Sequence, residues 1–554
     1  MAEIAPLMPS RSIWDARNWI VVAIALVAAL QFRLIFVQGF NWDEFYFLSQ
    51  VHAAKNGTLQ IALNTIHTRL FFWLPQLPGE IAQLQVARMF MLVAELSTVA
   101  CIIGLARRFT DLQTALIAGL AYISAGYIFL HGASFRVDPI ATALLMAALL
   151  GSAALRENWR SCLTIAFLIA LAGATTIKAV FFAPAFAGIW LLRWSESSDR
   201  KRTAAWMAST TIAAMLLFVA LYVMHSHSLA IADAENSRKM VSNAGEKMFS
   251  MGLFPQAQTM FRQGMMSVVF SAAVLAAPLV LTLQKRSGIE KAALLALWLP
   301  LLSLAIYRNS FPYFYAFIMA PATVAAAAAL MPVVRRYGAL PLVLMLLGNG
   351  AWLYWSTPKD MQTVQARVLD NVHAIFPKPV AYIDFSSMIS SFPKQGFFMS
   401  GWGMDNYRDA GQPMFVGILQ TQTVPLVIAN HDSLLAALTG KKSAQPLLPA
   451  DEQLLRDNYL HHWGPIWVAG KEIEAGDSIV PIQIAVPGEY KLEGGEAVID
   501  GTAVKFGAIV SLARGSYRVS ERNSGPIKLR YVHLAAQTSA EEPKAGRYGV
   551  FTDF

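Results

Sequence analysis

Charge is what this sequence lacks most. Of its 554 residues 14% are Asp, Glu, Lys or Arg and 56% are hydrophobic, whereas soluble domains carry about 25% charged residues. With a mean hydropathy of +0.45, this excludes an ordinary water-soluble globule and leaves lipid as the medium for much of the surface. Cysteine is nearly absent. Cys101 and Cys162 both fall in apolar runs, which excludes a disulfide framework and leaves each as small core filler. Basic clustering is lacking too. The net charge of +9 is spread in ones to threes between apolar runs rather than along a stripe, which excludes nucleic acid as a partner. The first apolar run, 19–40, is too long for a signal-peptide core and has no small-residue cleavage site, so it reads as a retained signal anchor.

Long apolar runs are abundant instead. They fall near 19–40, 86–106, 112–131, 139–155, 161–177, 179–194, 203–224, 265–283, 292–307, 314–334 and 338–356. Membrane-spanning helices need roughly 17–25 residues, so these runs predict a polytopic α-helical membrane protein with about eleven transmembrane helices. Arg107, Arg108, Arg156, Arg160, Arg200, Lys201, Arg202, Lys285, Arg286, Arg335 and Arg336 occupy alternate, short connections. Positive charge marks the cytoplasmic side. That places the N-terminus inside and the connections 41–85, 132–138, 225–264 and 308–313 outside, with a turn at Lys178 between two closely spaced runs. The short loops and the absence of disulfides suggest a bacterial inner membrane.

After residue 356 the apolar runs stop, and everything beyond is expected on the periplasmic side. Short β runs such as "VAYIDF", "PLVIAN" and "PIWVAG" alternate with helical stretches, which predicts an α/β subdomain over 357–475. It has no Gly-rich phosphate loop, so it is not read as nucleotide-binding. The glycine-punctuated alternation from 476 onward predicts a small β-sandwich-like subdomain ending in a loose tail, about 537–554.

Polar residues that stand out are gathered at outer ends of the runs. "GFNWDEFYFLSQ" follows the first run and sets Asp43 and Glu44 among aromatics. The plain reading is an Asn41 or Asp43 N-cap on an amphipathic helix 44–56 along the interface. The other is function, because acidic side chains beside a bilayer are costly. "SFRVDP" carries Arg136 and Asp138 in a very short outer connection. They form either a local pair ahead of Pro139 or an Arg fork for phosphate. Lys178 in "TTIKAVFFAP" either snorkels to headgroups or neutralises a lipid phosphate. Tyr307, Arg308, Tyr313 and Tyr315 lie in "IYRNSFPYFYAFIMAP", and His67 and Arg69 in "NTIHTRLFF". Tyrosines at this depth also form ordinary aromatic belts. Glu95, within the second run, either is protonated or faces the bundle interior near Arg33.

Carboxylates, cations and hydroxyls at one outer surface are what transfer from a lipid-phosphate donor needs. A carboxylate takes the acceptor proton, and cations hold the departing phosphate. A divalent Mg, Mn or Ca ion on Asp43 and Glu44 would share that task.

On these motifs the chain resembles the GT-C glycosyltransferases, and within them the protein-O-mannosyltransferase-like branch, family 39, with the aminoarabinose transferases of lipid A. "WDEFYF" is similar to the branch's Asp-Glu motif, "GASFRVDP" to its Arg-x-Asp motif, "IKAVFFAPAF" to its Lys-bearing segment and "YRNSFPYFYAFIMAP" to its late-helix motif. The resemblance covers about 1–356. It implies inverting transfer of one sugar from a polyprenyl-phosphate donor to a hydroxyl of a glycan, lipid or protein. Asp43 would be the base, with Glu44 orienting it or a metal. Arg136, Lys178 and Arg308, joined by Arg69 and His67, would bind donor phosphate. Asp138, Tyr307, Tyr313 and Tyr315 would contact substrate. The first loop lacks the Lys-Pro dipeptide of the aminoarabinose branch, which points away from that donor.

Two readings from other classes stay open at this point. One is a multi-pass transporter or flippase with a periplasmic domain, although transporters concentrate polar groups at the bilayer midplane. The other is a non-catalytic anchor presenting a binding domain. Within the transferase class, a whole oligosaccharide or a phospho-sugar is an alternative cargo.

Overall fold

The computed structural model describes residues 16–229, 252–474, 479–521, 526–532 and 550–551. The middle of the 225–264 connection and nearly all of the tail lie outside the described residues. The apolar runs read from the sequence are largely helical, but 112–131 is two helices, Leu112–Ile123 and Gly126–His131, and the runs 179–194 and 292–307 each include a 3₁₀ stretch. Among the described residues seven helices are long and apolar enough to cross a membrane, including Glu80–Ala106, Val137–Ala154, Arg200–Ser226 and Pro312–Tyr337. Ala257–Met266 and Val268–Leu283 form a further pair bent by 113°. Leu112–Ile123, Trp159–Thr175 and Leu340–Ser356 are shorter apolar helices.

Small residues let these helices pack. Pro312–Tyr337 carries the run Ala325–Ala329, buried throughout, and forms the centre of the bundle. An added Cβ at Gly188 would meet Ala296 at 2.4 Å, so glycine permits that close helix approach. The outward faces are apolar instead. Leu275, Leu283 and Leu216 are 74%, 77% and 67% exposed, as expected of surface that meets lipid. Glu95 is buried but does not meet Arg33. Its oxygens accept from Gln31 Nε2 at 3.0 and 3.2 Å.

Lys178 falls where the chain breaks between two helices. Trp159–Thr175 ends at Thr176, whose hydroxyl accepts from the Lys178 amide at 3.4 Å, and a 3₁₀ stretch, Ile177–Phe182, leads into Ala183–Glu196.

Beyond the bundle, helix Met361–Ile375 leads to a layered outer region. Its strands are β1 (Tyr382–Ile383), β2 (Lys394–Gln395), β3 (Leu426–Ile428), β4 (Tyr459–Trp463), β5 (Ile466–Ile473), β6 (Val480–Ile484), β7 (Gly488–Glu493), β8 (Ala497–Ile499), β9 (Thr502–Val504), β10 (Ile509–Leu512), β11 (Gly515–Glu521) and β12 (Ile527–Tyr531). One eight-stranded sheet runs β10-β7-β12-β5-β3-β1-β2, with β4 also on β5. A four-stranded sheet, β6-β11-β8-β9, faces it. Leu492 and Leu529 of the larger sheet and Ile484 and Val519 of the smaller share one core. A sandwich is therefore present. Its larger sheet continues through β12 and β5 into the α/β part, because the antiparallel β12–β5 pair joins them across residue 475.

A second core welds the outer region to the first outer loop. Phe45, Leu48 and Val51 pack with Val368, Tyr382, Ile428 and Phe551. Helix Trp42–Lys55 is thus covered on both sides, not laid along an interface. Tyr46 stacks on Phe398 with ring centroids 4.6 Å apart.

Candidate functional site at the outer mouth of the bundle

The site starts from a capping box. Asn41, extended, accepts from the Asp43 amide at 3.0 Å, while Glu44 Oε1 accepts from the Asn41 amide at 3.0 Å. This satisfies amides at the helix start that have no partner within the helix. It also sends the two adjacent carboxylates in different directions.

Glu44 turns inward and is fully buried. Arg88 forks onto it, Nε to Oε2 at 2.7 Å and Nη2 to Oε1 at 2.6 Å. Arg88 also donates to the Gln38 and Gly39 carbonyls, both at 2.8 Å, and lies over the Phe40 ring. The Phe135 amide donates to Glu44 Oε2 at 2.9 Å. Glu44 therefore ties the end of the first helix, the Glu80–Ala106 helix and the 132–138 connection together.

That tie sets the next residue, Arg136, which enters helix Val137–Ala154 in extended conformation. Arg136 forms a buried ion pair with Asp43 and reaches Asp138 Oδ2 through Nε at 3.4 Å. Lys178 pairs with Asp138 Oδ1. The result is an alternating chain, Asp43–Arg136–Asp138–Lys178. Each member is at most 8% exposed. Tyr313 backs it, with the Arg136 guanidinium 3.4 Å and the Lys178 ammonium 5.1 Å from its ring centre. Tyr307 packs on Phe314 at 5.0 Å and lies within electrostatic range of Asp138 and Arg136.

The other residues singled out in the sequence lie elsewhere. Arg308 turns to the outer region, where Nη2 meets Asp405 Oδ2 at 2.9 Å and the guanidinium lies over Trp402. Tyr315 packs on Tyr127, and its buried hydroxyl has no hydrogen-bond partner among the described residues. His67 is wedged edge-on between Phe47 and Phe135, and burial lowers its pKa to about 4, so it is neutral. Arg69 donates to His225 Nδ1 at 3.3 Å and lines a cavity of about 340 Å³ with Lys55 and Thr68.

The donor set does not fit a metal on the Asp43–Glu44 pair. Four donors fill the Glu44 oxygens, and Arg136 already neutralises Asp43. Among the described residues no three His, Cys, Asp or Glu side chains converge as a metal site.

Sequence reasoning passed over Arg88 and Asp405. Arg88 carried a usable signal, a lone arginine in "LQVARMFML", of the kind that drew attention to Lys178. Asp405 lies in an unremarkable helix, Gly401–Ala410, and only the fold brings it to Arg308.

The sequence matches no family model and no curated protein. The fold does have solved counterparts. ArnT from Cupriavidus metallidurans bound to undecaprenyl phosphate superposes with a TM-score of 0.54 at 12% identity, over 77% of this chain and 95% of that one. Its apo state gives 0.54 at 12% identity, over 76% and 94%. The Archaeoglobus fulgidus oligosaccharyltransferase tethered to an acceptor peptide gives 0.50 at 11% identity, over 93% and 97%. The chain has the GT-C fold. It is a multi-pass membrane protein whose GT-C bundle is followed by a C-terminal α/β and β-sandwich region, as the sequence led one to expect.

Proposed function

We propose that the protein is an inverting membrane glycosyltransferase that moves one sugar from a polyprenyl-phosphate donor to an acceptor hydroxyl. The acceptor belongs to a cell-envelope glycan, a lipid or a protein. The reaction takes place on the periplasmic face of a bacterial inner membrane, with the N-terminus in the cytoplasm. The observation that carries this reading is the buried chain Asp43–Arg136–Asp138–Lys178 against Tyr313, beneath the outer region. The undecaprenyl phosphate bound to the GT-C neighbour ArnT supports the donor class.

In this reading Asp43 is the base. At rest Arg136 holds it, and Asp138 is shared between Arg136 and Lys178. The donor phosphate enters as a further anion and competes for both cations. Arg136 swings part of its charge to the phosphate, which frees an Asp43 oxygen for the acceptor hydroxyl. The hydroxyl oxygen bonds to the sugar C1 from the face opposite the phosphate. Its proton passes to Asp43, the C1–O bond to phosphate breaks, and the negative charge left on polyprenyl phosphate rests on Arg136 and Lys178. Glu44 has a positioning role in this scheme, since its oxygens are committed to Arg88 and to backbone amides. Arg308 holds the outer region over the site.

The test is release of polyprenyl phosphate by purified protein from a panel of polyprenyl-phosphate sugars, with membrane extract as the acceptor source. One donor should be consumed by the wild type and not by Asp43→Asn. Full turnover by a folded Asp43→Asn protein would remove Asp43 from the chemistry.

A further inference from the structure

The far end of the bundle holds a cavity that the transfer chemistry does not use. Helix Pro312–Tyr337 starts beside Arg136 at Tyr313 and runs for 26 residues, about 39 Å at ~1.5 Å per residue. Helix Glu80–Ala106 likewise leads away from Arg88 toward Arg108. Where the two end there is an open cavity of about 600 Å³. Its charged lining is Arg108, Lys285, Arg286 and Arg335 against Asp111 and Glu290. Arg108 pairs beyond the lining with Glu196, which leaves an excess of one positive charge, that of Lys285.

Its walls are positioned. Arg286 pairs with Glu290 and donates to the Phe109 carbonyl at 3.1 Å and to Gln284 Oε1 at 2.8 Å. Arg335 meets Asp111 at 3.3 Å, but both side chains are well exposed, and such a pair yields readily to a better anion. Lys285 makes no ion pair among the described residues. The rim is apolar. Leu283, the last residue of helix Val268–Leu283 and two before Lys285, is 77% exposed, and Met331 and Pro332 of the longer helix line the cavity itself. Tyr337 is 64% exposed at the end of the same helix, where aromatic side chains mark headgroup depth. Cations at headgroup level above bare apolar helix faces suit a phosphate that carries acyl chains, and basic pockets between membrane helices are known to hold anionic headgroups.

We propose that this cavity binds the headgroup phosphate of an anionic phospholipid, in the leaflet opposite the Asp43 cluster. The site stands independently of the transfer reading, because it shares no residue with it.

Native mass spectrometry of the full chain, titrated with phosphatidylglycerol or phosphatidylcholine of the same acyl length, tests this. The wild type should retain phosphatidylglycerol in preference. Lys285→Gln with Arg335→Gln should weaken that retention about twenty-five-fold, roughly fivefold per basic side chain near the membrane surface, with phosphatidylcholine unaffected. Lys285→Gln alone removes no ion pair among the described residues, so it serves if the double variant folds poorly, and it should lose about fivefold. Equal retention of the two lipids, or phosphatidylglycerol binding unchanged in the variants, would overturn the site. Inorganic phosphate that protects the protein from thermal unfolding as strongly as the lipid would assign the cavity to a free anion and overturn the lipid.

Discussion

Glu44 and Arg88 meet in a two-pronged ion pair at 2.6 and 2.7 Å with both side chains buried. Next door, Asp43 pairs instead with Arg136. One dipeptide thus serves two ends: Glu44 fixes the frame, and Asp43 faces the cluster. Removing one partner of a buried pair leaves a naked charge, which costs about 3–5 kcal/mol. Arg88→Ala should therefore lower the thermal midpoint in detergent sharply. Glu44→Gln also leaves a buried charge, on Arg88, but the Gln38 and Gly39 carbonyls still accept from it and the new amide keeps an acceptor for the Asn41 or Phe135 amide, so it should lower the midpoint less. Activity per folded molecule in Glu44→Gln should stay within about tenfold of wild type. A loss as deep as that expected for Asp43→Asn, about 10²–10⁴-fold, would put Glu44 in the chemistry.

The cations divide in the same way. Arg136 and Lys178 sit in the cluster, whereas Arg308 is engaged with Asp405 and Trp402. Removing one donor that stabilises the leaving charge costs about 10²–10³-fold in turnover. Arg136→Gln and Lys178→Gln should each fall in that range in a polyprenyl-phosphate release assay, while Arg308→Gln should lose less than about tenfold. Equal losses at all three positions would return Arg308 to the phosphate.

Much of this was legible because membrane architecture writes itself in long runs. The helical runs and an N-cap at Asn41 or Asp43 follow from composition and local pattern, and so does the position of Lys178 at a chain break; the structure chooses Asn41. What was not legible depends on long-range pairing. Glu95 meets Gln31 and not Arg33, because Arg33 is exposed and only side-chain facing decides between them. Arg308 finds Asp405 across 97 residues. The β12–β5 pair across residue 475 hides the same way, since strand pairing leaves little trace in either strand alone. Proximity in sequence also misled at Tyr315, which points to Tyr127 while Tyr313 backs the cluster. Two residues along a helix lie on different faces.

The Arg308–Asp405 contact joins bundle and outer region, and Asp405 is 46% exposed there. An exposed pair of this kind contributes about 0.2–1 kcal/mol. A double-mutant cycle of Arg308→Gln and Asp405→Asn, read by thermal unfolding, should show a coupling in that range. Strict additivity would mean that the Arg308–Asp405 contact contributes nothing to holding the outer region, which then rests on the shared core and its ring contacts, among them Phe45–Phe551 and Tyr46–Phe398.

His373 supplies a second clasp and makes it sensitive to pH. It lies in the outer helix Met361–Ile375, and Nε2 reaches Glu80 Oε2 at 3.1 Å, while the Ser391 hydroxyl donates to Oε1 at 2.6 Å. The hydrogen bond to Glu80 raises the His373 pKa above its ordinary 6.5, against the opposing pull of burial. A raised pKa means that folding favours the charged imidazolium. Its contribution is complete below pH 6.5 and fades as pH climbs through the raised value. The His373 side chain is 37% exposed, so screening keeps the effect below about 1 kcal/mol. His373→Gln can still donate to Glu80 but does not titrate. The difference in thermal midpoint between wild type and His373→Gln should therefore favour the wild type near pH 6 and shrink toward about pH 9. A difference that stays constant, or grows, across that range would show that the imidazolium is not what holds the outer region to Glu80.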